Sequence, residues 1–404
     1  MYPAISDLIN DILGTSISLP IQTYGFFVAV AYLVGTWVLH NELKLKEKKG
    51  LMQPTTKKIL VGKAASMQEL FILGIISLLL GYKFSGMLIN YSTFSANPQE
   101  YLLSTQGSVW GGILVAIAFV AYRWYSKKKK KLDKPVWEEV IIHPYDQAGN
   151  ILIIAAVAGI LGAKLFHNLE NFGDLMADPI GQLFSFSGLT FYGGLILGGG
   201  TVIWYARKQK MAVLPLIDAA APAIAISYGL GRVGCMMSGD GCWGVENIAP
   251  KPGWLNWLPD WMWSFNFPHN VVGEGVAIDH CTGKYCTVLE HGVFPTSFYD
   301  FVLMALFFGV LLLIRNKVNI PGYLFAILIL FIGVERFFLE KIRVNNTYDI
   351  FGIQITQAEI ISVVLVIIGG LGLWYFRKRY KAQQAGTSPT NKSRKDTHIS
   401  SDKK

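Results

Sequence analysis

Tyr228-Gly-Leu-Gly-Arg-Val-Gly-Cys-Met-Met-Ser-Gly-Asp240-Gly-Cys-Trp-Gly244 decides how this chain is read. It closes a long apolar run, Met211 to Ser227, yet carries an arginine, an aspartate, two cysteines and six glycines. Arginine at the end of an apolar helix, followed so soon by a carboxylate, is costly in a bilayer and marks a functional site by default. Gly229-Leu-Gly-Arg-Val-Gly234 fits the dinucleotide pattern G-x-G-x-x-G, but no strand precedes it, so that match is rejected and its glycines read as packing or as room for a ligand.

Outward from this stretch the chain is apolar almost throughout. Of its 404 residues 52% are hydrophobic and 16% charged, a balance foreign to soluble domains. Nine stretches approach the length that crosses a hydrocarbon core of about 30 Å: 22–40, 67–90, 108–125, 148–166, 189–206, 211–235, 297–314, 320–340 and 358–376. The expectation is an all-α, polytopic membrane protein with about nine transmembrane helices, because spanning helices satisfy their own backbone groups. The net charge of +9 belongs to topology. Alternate loops hold 28 Lys and Arg on one side and four on the other, the positive-inside pattern. It puts the N-terminus outside and the C-terminus in the cytoplasm, and argues against nucleic acid. Residues 1–21 lack the basic start of a cleaved signal; 4–13 read either as an amphipathic surface helix or as a disordered end.

Residues 1–376 read as one transmembrane domain, and 377–404, polar and basic, as a disordered cytoplasmic tail. Within the domain, 67–126 look like a copy of 148–208. Gly81-Tyr-Lys83, Asn90, Ala96-Asn-Pro98, Leu102, Ser104 and Gly107 return 81 residues later as Gly162-Ala-Lys164, Asn171, Ala177-Asp-Pro179, Leu183, Ser185 and Gly188, and Trp110-Gly-Gly112 answers Tyr192-Gly-Gly194. A duplicated helical hairpin explains such a register. The outer loop 241–294 holds five of eleven tryptophans and reads as an interfacial lid or a small insert. All four cysteines, Cys235, Cys242, Cys281 and Cys286, fall at or beyond the outer face. Disulfides are favoured there, with Cys281 and Cys286 able to close a small loop; a zinc site using His269, His280 or His291 has no standard spacing, so no metal is expected.

Collected by depth, Lys164, Tyr192, Arg232, Asp240, Asp300, Arg336, Glu340 and Arg343 meet near the outer leaflet. Arg336, Glu340 and Arg343, spaced by four and three, share one helical face. Several guanidiniums that bind phosphate bidentately, a few carboxylates and glycine surfaces describe a site for an anionic lipid headgroup. Plainer readings stand beside it: Tyr24 as an interface anchor, Lys164 as a snorkelling lysine, Gly193 and Gly194 as helix packing, and Ser297 with Asp300 as a helix start.

At this point the sequence resembles a known family, the prolipoprotein diacylglyceryl transferases. Gly231-Arg-Val-Gly234 with the following acid and Trp243-Gly244 resembles G-R-x-G-N-F-x-N-x-E with W-G behind it. Phe191-Tyr-Gly-Gly-Leu195 resembles F-H-G-G-L, Met176-Ala-Asp-Pro179 resembles M-A-D-P, and Pro295-Thr-Ser-Phe-Tyr-Asp300 resembles H-P-S-Q-L-Y-E. Arg336-Phe-Phe-Leu-Glu340 with Arg343 resembles R-x-x-x-E-x-x-R, and Tyr24-Gly25 the first-helix Tyr-Gly. Four positions depart: Tyr192 stands for histidine, Cys235 for asparagine, Asp240 for glutamate and Ile332 for tyrosine, and one extra residue separates Asp240 from Trp243-Gly244.

The resemblance implies transfer of diacylglycerol from phosphatidylglycerol to the lipobox cysteine of prolipoproteins, the first step of bacterial lipoprotein maturation. It further implies the bacterial inner membrane, an active site toward the outer leaflet, and no cofactor. Arg232, Asp240, Tyr192 and Arg336 are the expected catalytic residues; Tyr24, Lys164, Gly193, Gly194, Tyr299, Asp300, Glu340 and Arg343 are the expected substrate-binding ones. The expected partners are phosphatidylglycerol, the prolipoprotein signal-peptide and lipobox region, and membrane lipid. A non-catalytic lipid-binding or assembly protein and a transporter are the alternatives, the transporter weakened because the repeats are adjacent and the charges cluster at one face.

Overall fold

A computed structural model describes residues 1–384 apart from 97, 185–189, 282, 346 and 351–352. The helices in order are α1 (Ile5–Leu13), α2 (Thr23–Lys48), α3 (Met67–Ile89), α4 (Tyr91–Ala96), α5 (Pro98–Leu103), α6 (Val109–Lys129) and α7 (Ala148–Glu170). There follow α8 (Phe172–Ala177), α9 (Pro179–Phe184), α10 (Phe191–Lys208), α11 (Val213–Ser238), α12 (Thr296–Ile314), α13 (Tyr323–Glu340) and α14 (Gln357–Gln384). Among the described residues seven helical segments are long and apolar enough to cross a membrane: α2, α3, α6, α7 with the turn before it, α11, α12 and α14. The other two expected spans, α10 and α13, are also helical; α10 ends on Arg207 and Lys208, and α13 carries three charged residues, Glu335, Arg336 and Glu340.

Three antiparallel ribbons depart from the all-helical expectation. They pair β1 (Thr55–Val61) with β2 (Val136–Ile142), β3 (Val276–Ala277) with β4 (Thr287–Val288), and β5 (Thr347–Ile350) with β6 (Ile353–Thr356). All lie between the long helices, where an aqueous or interfacial environment permits open strand edges that hydrocarbon forbids. Helix α14 also continues to Gln384, past the point where a disordered tail was expected; the rest of that tail lies outside the described residues.

The chain divides into two compact units. One comprises 1–15, 21–52 and the chain from 206 onward. In it α11 is the central helix, with Leu216, Ala219, Ala221 and Ala225 wholly buried. Small residues admit its neighbours: a Cβ on Gly35 of α2 would collide with Ser227, whose hydroxyl donates to the Ala31 carbonyl at 2.9 Å. On another face Ala221 and Ala225 pack with Phe307, Leu311, Leu324 and Leu328, and Phe307 stacks on Phe331 at 3.8 Å. Helix α1 ends at Gly14 in the left-handed region (φ 63°), and the chain before it is tied to the end of α11 by Tyr2 N–H donating to Met237 O at 2.9 Å.

The other unit, 16–20 and 53–205, repeats its elements at a fixed spacing. Starts and ends of α4 and α5 recur 81 residues on as α8 and α9. Helices α3 and α7 end at Asn90 and Asn171 in nearly the same conformation (φ −105°, ψ 48° and φ −113°, ψ 53°). The contacts recur too. Ser108 N–H donates to Tyr82 O at 2.9 Å, and Thr190 N–H to Ala163 O at 3.1 Å. A Cβ on Gly112 would lie 2.9 Å from Leu78 O, and one on Gly194 3.0 Å from Gly159 O. Strands β1 and β2 stand at the same spacing and pair with each other, with Lys58 facing Glu139 at 3.3 Å.

Candidate active site

The end of α11 is where the first unit gathers its charges. Arg232 lies one turn beyond Tyr228; its Nη2 donates to the Tyr228 hydroxyl at 2.9 Å, and its guanidinium sits 4.9 Å from the centre of the Tyr228 ring. Its Nε reaches Asp300 Oδ2 at 3.0 Å. Asp300 starts the second turn of α12 and is wholly buried; Arg343, past the end of α13, approaches the same oxygen at 3.7 Å. Arg336 meets Glu340 one turn later at 3.2 Å, and Glu340 also accepts from the Asn345 amide. Five residues expected from the sequence, Arg232, Asp300, Arg336, Glu340 and Arg343, are thus brought together by the ends of three helices.

The chain beyond α11 locks this assembly. Gly239 and Gly241 adopt φ 65° and 86°, turning the backbone sharply in a region that side chains disfavour. Trp243 then buries against Phe267, with ring centres 5.0 Å apart. Gly244 runs between the neighbouring segments: its N–H donates to Phe294 O and Val245 N–H donates to Ile342 O, both at 2.8 Å. A Cβ on Gly244 would strike the Ile342 carbonyl, so the Trp-Gly pair sets how closely the ends of α11, α12 and α13 converge. Thr296 and Ser297 both donate to the Cys242 carbonyl, at 2.9 and 2.7 Å. The Ser297 hydroxyl, read from sequence as a helix-start group, therefore anchors the loop instead. Tyr299, an expected substrate contact, donates to Met262 O at 2.7 Å and ties down the outer loop.

That loop is folded. Cys281 and Cys286 form a disulfide, Cα to Cα 5.6 Å, as their spacing allowed, while Cys235 and Cys242 are free thiols. Asn270 is fully buried and holds its own turn, accepting from Gly273 and Glu274 N–H and donating to Phe267 and Glu274 carbonyls. An apolar cleft of about 330 Å³ opens beside Ile342, lined also by Leu255, Leu258, Met262, Trp263 and Phe294. Trp254 and Trp257 remain exposed.

The buried polar atoms left over define what the site can do. Among the described residues Arg336 Nη1 and Arg343 Nε and Nη1 are buried without a hydrogen-bond partner, as are both oxygens of Asp300 and of Glu335, though Arg232 and Arg343 form ion pairs with Asp300. Glu335, which faces Asp300 and is 5% exposed, was not among the expected site residues; a carboxylate inside an apolar helix was the signal for it. Tyr228, four residues before Arg232, was likewise missed. Guanidinium donors left open in a low-dielectric setting invite an anion with several acceptors, and a phosphate diester has that geometry.

Asp240 is half-buried, and its Oδ1 accepts from Cys242 N–H at 3.2 Å. Hydrogen bonding to Cys235 holds the Cys242 thiol below its ordinary pKa, with Arg232 and Arg343 adding to the effect. Tyr24 is partly exposed at the start of α2, and its backbone passes close to Gly234, where a Cβ would lie 3.3 Å from Tyr24 O. Lys164, Tyr192, Gly193 and Gly194 belong to the other unit. There Lys164 is buried on α7, Tyr192 is half-buried at the start of α10, and Gly193 and Gly194 pack on Gly162 and Gly159, as the helix-packing reading holds.

Comparison with known proteins gives a consistent result. The family model described as prolipoprotein diacylglyceryl transferase matches residues 110–375. The phosphatidylglycerol–prolipoprotein diacylglyceryl transferase of Aeromonas hydrophila is 25% identical over 298 residues, covering 72% of this chain and 94% of the relative. The enzyme of the same name from Proteus mirabilis is 25% identical over 311 residues, 75% of this chain and 100% of its own length. That of Corynebacterium glutamicum is 26% identical over 243 residues, 59% of this chain and 72% of the relative.

Proposed function

This chain belongs to the prolipoprotein diacylglyceryl transferase family, and from that premise we propose how its buried charges carry out the reaction. It is a multi-pass membrane transferase that moves the diacylglyceryl group of phosphatidylglycerol to a prolipoprotein cysteine. In our reading it lies in the bacterial inner membrane with nine spans, the N-terminus outside, and the site toward the outer leaflet. The hairpin formed by α3 and α6 is a duplicate of that formed by α7 and α10.

The reaction joins the thiol sulfur of the lipobox cysteine to the glyceryl carbon of the lipid. The bond from that carbon to the phosphate oxygen breaks, and glycerol phosphate leaves. Charge builds on the phosphate as it departs, so donors aimed there lower the barrier. Arg336 and Arg343 supply the open donors, and Arg232 completes the cradle from α11. Asp300 and Glu340 orient the guanidiniums, Tyr228 fixes Arg232 from behind, and Asp240 takes up the thiol proton. The apolar cleft beside Ile342 suits an acyl chain or the apolar part of a signal peptide.

The observation that carries this reading is the set of buried guanidinium N–H groups that have no hydrogen-bond partner among the described residues. Its test is a transfer assay in membranes with labelled phosphatidylglycerol and a lipobox peptide. Arg232→Ala and Arg336→Ala are each expected to reduce turnover about 100-fold or more, the usual effect of losing a donor to developing negative charge. Undiminished turnover in both would rule the phosphate role out. Asp240→Asn with full activity would remove the carboxylate from the proton transfer.

A further inference from the structure

The phosphate cradle leaves two thiols beside Asp240 without a role. Among the described residues Cys235, Asp240 and Cys242 bring one potential ligand atom each to within 4.8 Å of one another. Their setting is built. Cys235 lies in the last turn of α11, with its carbonyl accepting from Gly239 N–H at 3.0 Å. The two glycines with positive φ fold the chain back, and two hydroxyls grip the Cys242 carbonyl. The hydrogen bond from Cys242 N–H occupies Asp240 Oδ1 and leaves its other oxygen for a ligand.

We propose that Cys235, Asp240 and Cys242 form a zinc site with three protein ligands, and that its fourth position takes the thiol of the acceptor cysteine. The donor set selects the ion: two thiolates favour zinc over magnesium or calcium. Zinc–sulfur bonds of about 2.3 Å in a tetrahedron put the donors about 3.7 Å apart, so closing the site moves them by about an ångström. Three protein ligands with an open fourth position is the layout of zinc sites that perform chemistry. Two thiolates and a carboxylate exceed the charge of the ion by one. Arg232 and Arg343, close enough to act on Cys242, offset the excess. The proposal departs from the expectation from sequence that no metal takes part.

The thiol half of the proposal rests on the transferase reading; the metal half does not. Bound at the fourth position, the acceptor S–H loses its proton to water; in the zinc-loaded site Asp240 ligates the ion instead of taking up the thiol proton. The thiolate sulfur then attacks the glyceryl carbon, a C–S bond forms, and the C–O bond breaks with its electron pair leaving on the phosphate oxygen. No electrons are gained or lost overall, so no oxidant or reductant is needed.

The experiment uses the full-length protein in detergent or nanodiscs. Metal analysis of wild-type protein equilibrated with zinc and dialysed should find about one zinc per chain, falling at least tenfold in Cys235→Ser and Cys242→Ser. Exchange of cobalt(II) into wild-type protein should give a thiolate-to-cobalt absorption band, which a lipobox-cysteine peptide intensifies and its serine counterpart does not. The cobalt spectrum needs no variant, so a folding defect in either serine variant leaves the test intact. Absence of bound zinc and of the cobalt band, a Cys235–Cys242 disulfide in the unreduced protein, or zinc retained by both variants overturns the site. A cobalt band indifferent to the peptide overturns the thiol half. Metal and peptide spectra as expected, but no lipidated product from phosphatidylglycerol, would instead count against the transferase reading.

Discussion

Asp218 and Asp300 are both buried carboxylates in the same helical unit, and they are treated in opposite ways. Asp218, on α11, accepts from Gly322 N–H at 2.7 Å and Phe325 N–H at 3.0 Å, and Lys46 lies 3.9 Å away. Nearby, Glu42 pairs with Arg315, whose carbonyl accepts from Lys49 at 2.9 Å. Glu42 Oε2 and Arg315 Nε have no hydrogen-bond partner among the described residues, so in this group only Asp218 has both oxygens satisfied. Asp300 meets two guanidiniums and faces Glu335, while among the described residues donors on Arg336 and Arg343 have no hydrogen-bond partner. A closed cluster fixes where α13 begins against α11. An open one leaves guanidinium N–H groups that an anionic ligand can satisfy, and buried unpaired groups cost about 1–3 kcal/mol each. Function in this fold is therefore sought where the buried charges are incomplete.

The comparison can be broken most forcefully at Arg232. Arg232→Ala is expected to reduce transfer per folded molecule about 100-fold or more, because it removes a donor from the open cluster. Asp300→Asn keeps the shape but removes the charge that orients two guanidiniums; turnover should fall about tenfold or more, as for a residue that positions developing-charge donors. Asp218→Asn should act on the other axis. Breaking a buried pair while leaving Lys46 costs about 3–5 kcal/mol, so thermal unfolding of the purified protein should drop markedly while turnover per folded molecule stays near wild type.

Smaller effects sharpen the same contrast. Gly244→Ala drives a methyl into the Ile342 carbonyl and should cost about 1–3 kcal/mol, the usual penalty of overpacking. Because that position sets how the three helix ends converge, KM for phosphatidylglycerol should rise as well. Replacing Cys281 and Cys286 together by serine should be mildest. Their short loop is worth about 2 kcal/mol in chain entropy, and protease resistance of the outer loop should fall while turnover changes less than about twofold.

Much of this was legible in the sequence because apolar length and charge position are one-dimensional signals. Arg336 and Glu340 announce a shared face by spacing, whereas Arg343, expected on the same face, lies past the end of α13 in a bridge with Gly244; Arg232 announces itself by the cost of a guanidinium in an apolar run. What escaped depends on partners distant in sequence. Glu335 reads as a neighbour of Arg336 until α12 brings Asp300 against it. Ser297 reads as a helix start until the Cys242 carbonyl arrives from another loop. Strands β1 and β2 escaped for a different reason: Lys57-Lys58 and Glu138-Glu139 hold equivalent places 81 residues apart with opposite charge, which hides the likeness from identity and favours the pairing. The Cys235 and Cys242 juxtaposition was hidden by the two glycine turns that create it.

The most direct test of the central claim measures glycerol phosphate release per folded molecule for Arg336→Ala and Asp218→Asn side by side, with phosphatidylglycerol vesicles and a lipobox peptide. The open-cluster account predicts a loss of about 100-fold or more in Arg336→Ala and near wild-type turnover in the folded fraction of Asp218→Asn. Equal losses in the two, or wild-type turnover in Arg336→Ala, would contradict it.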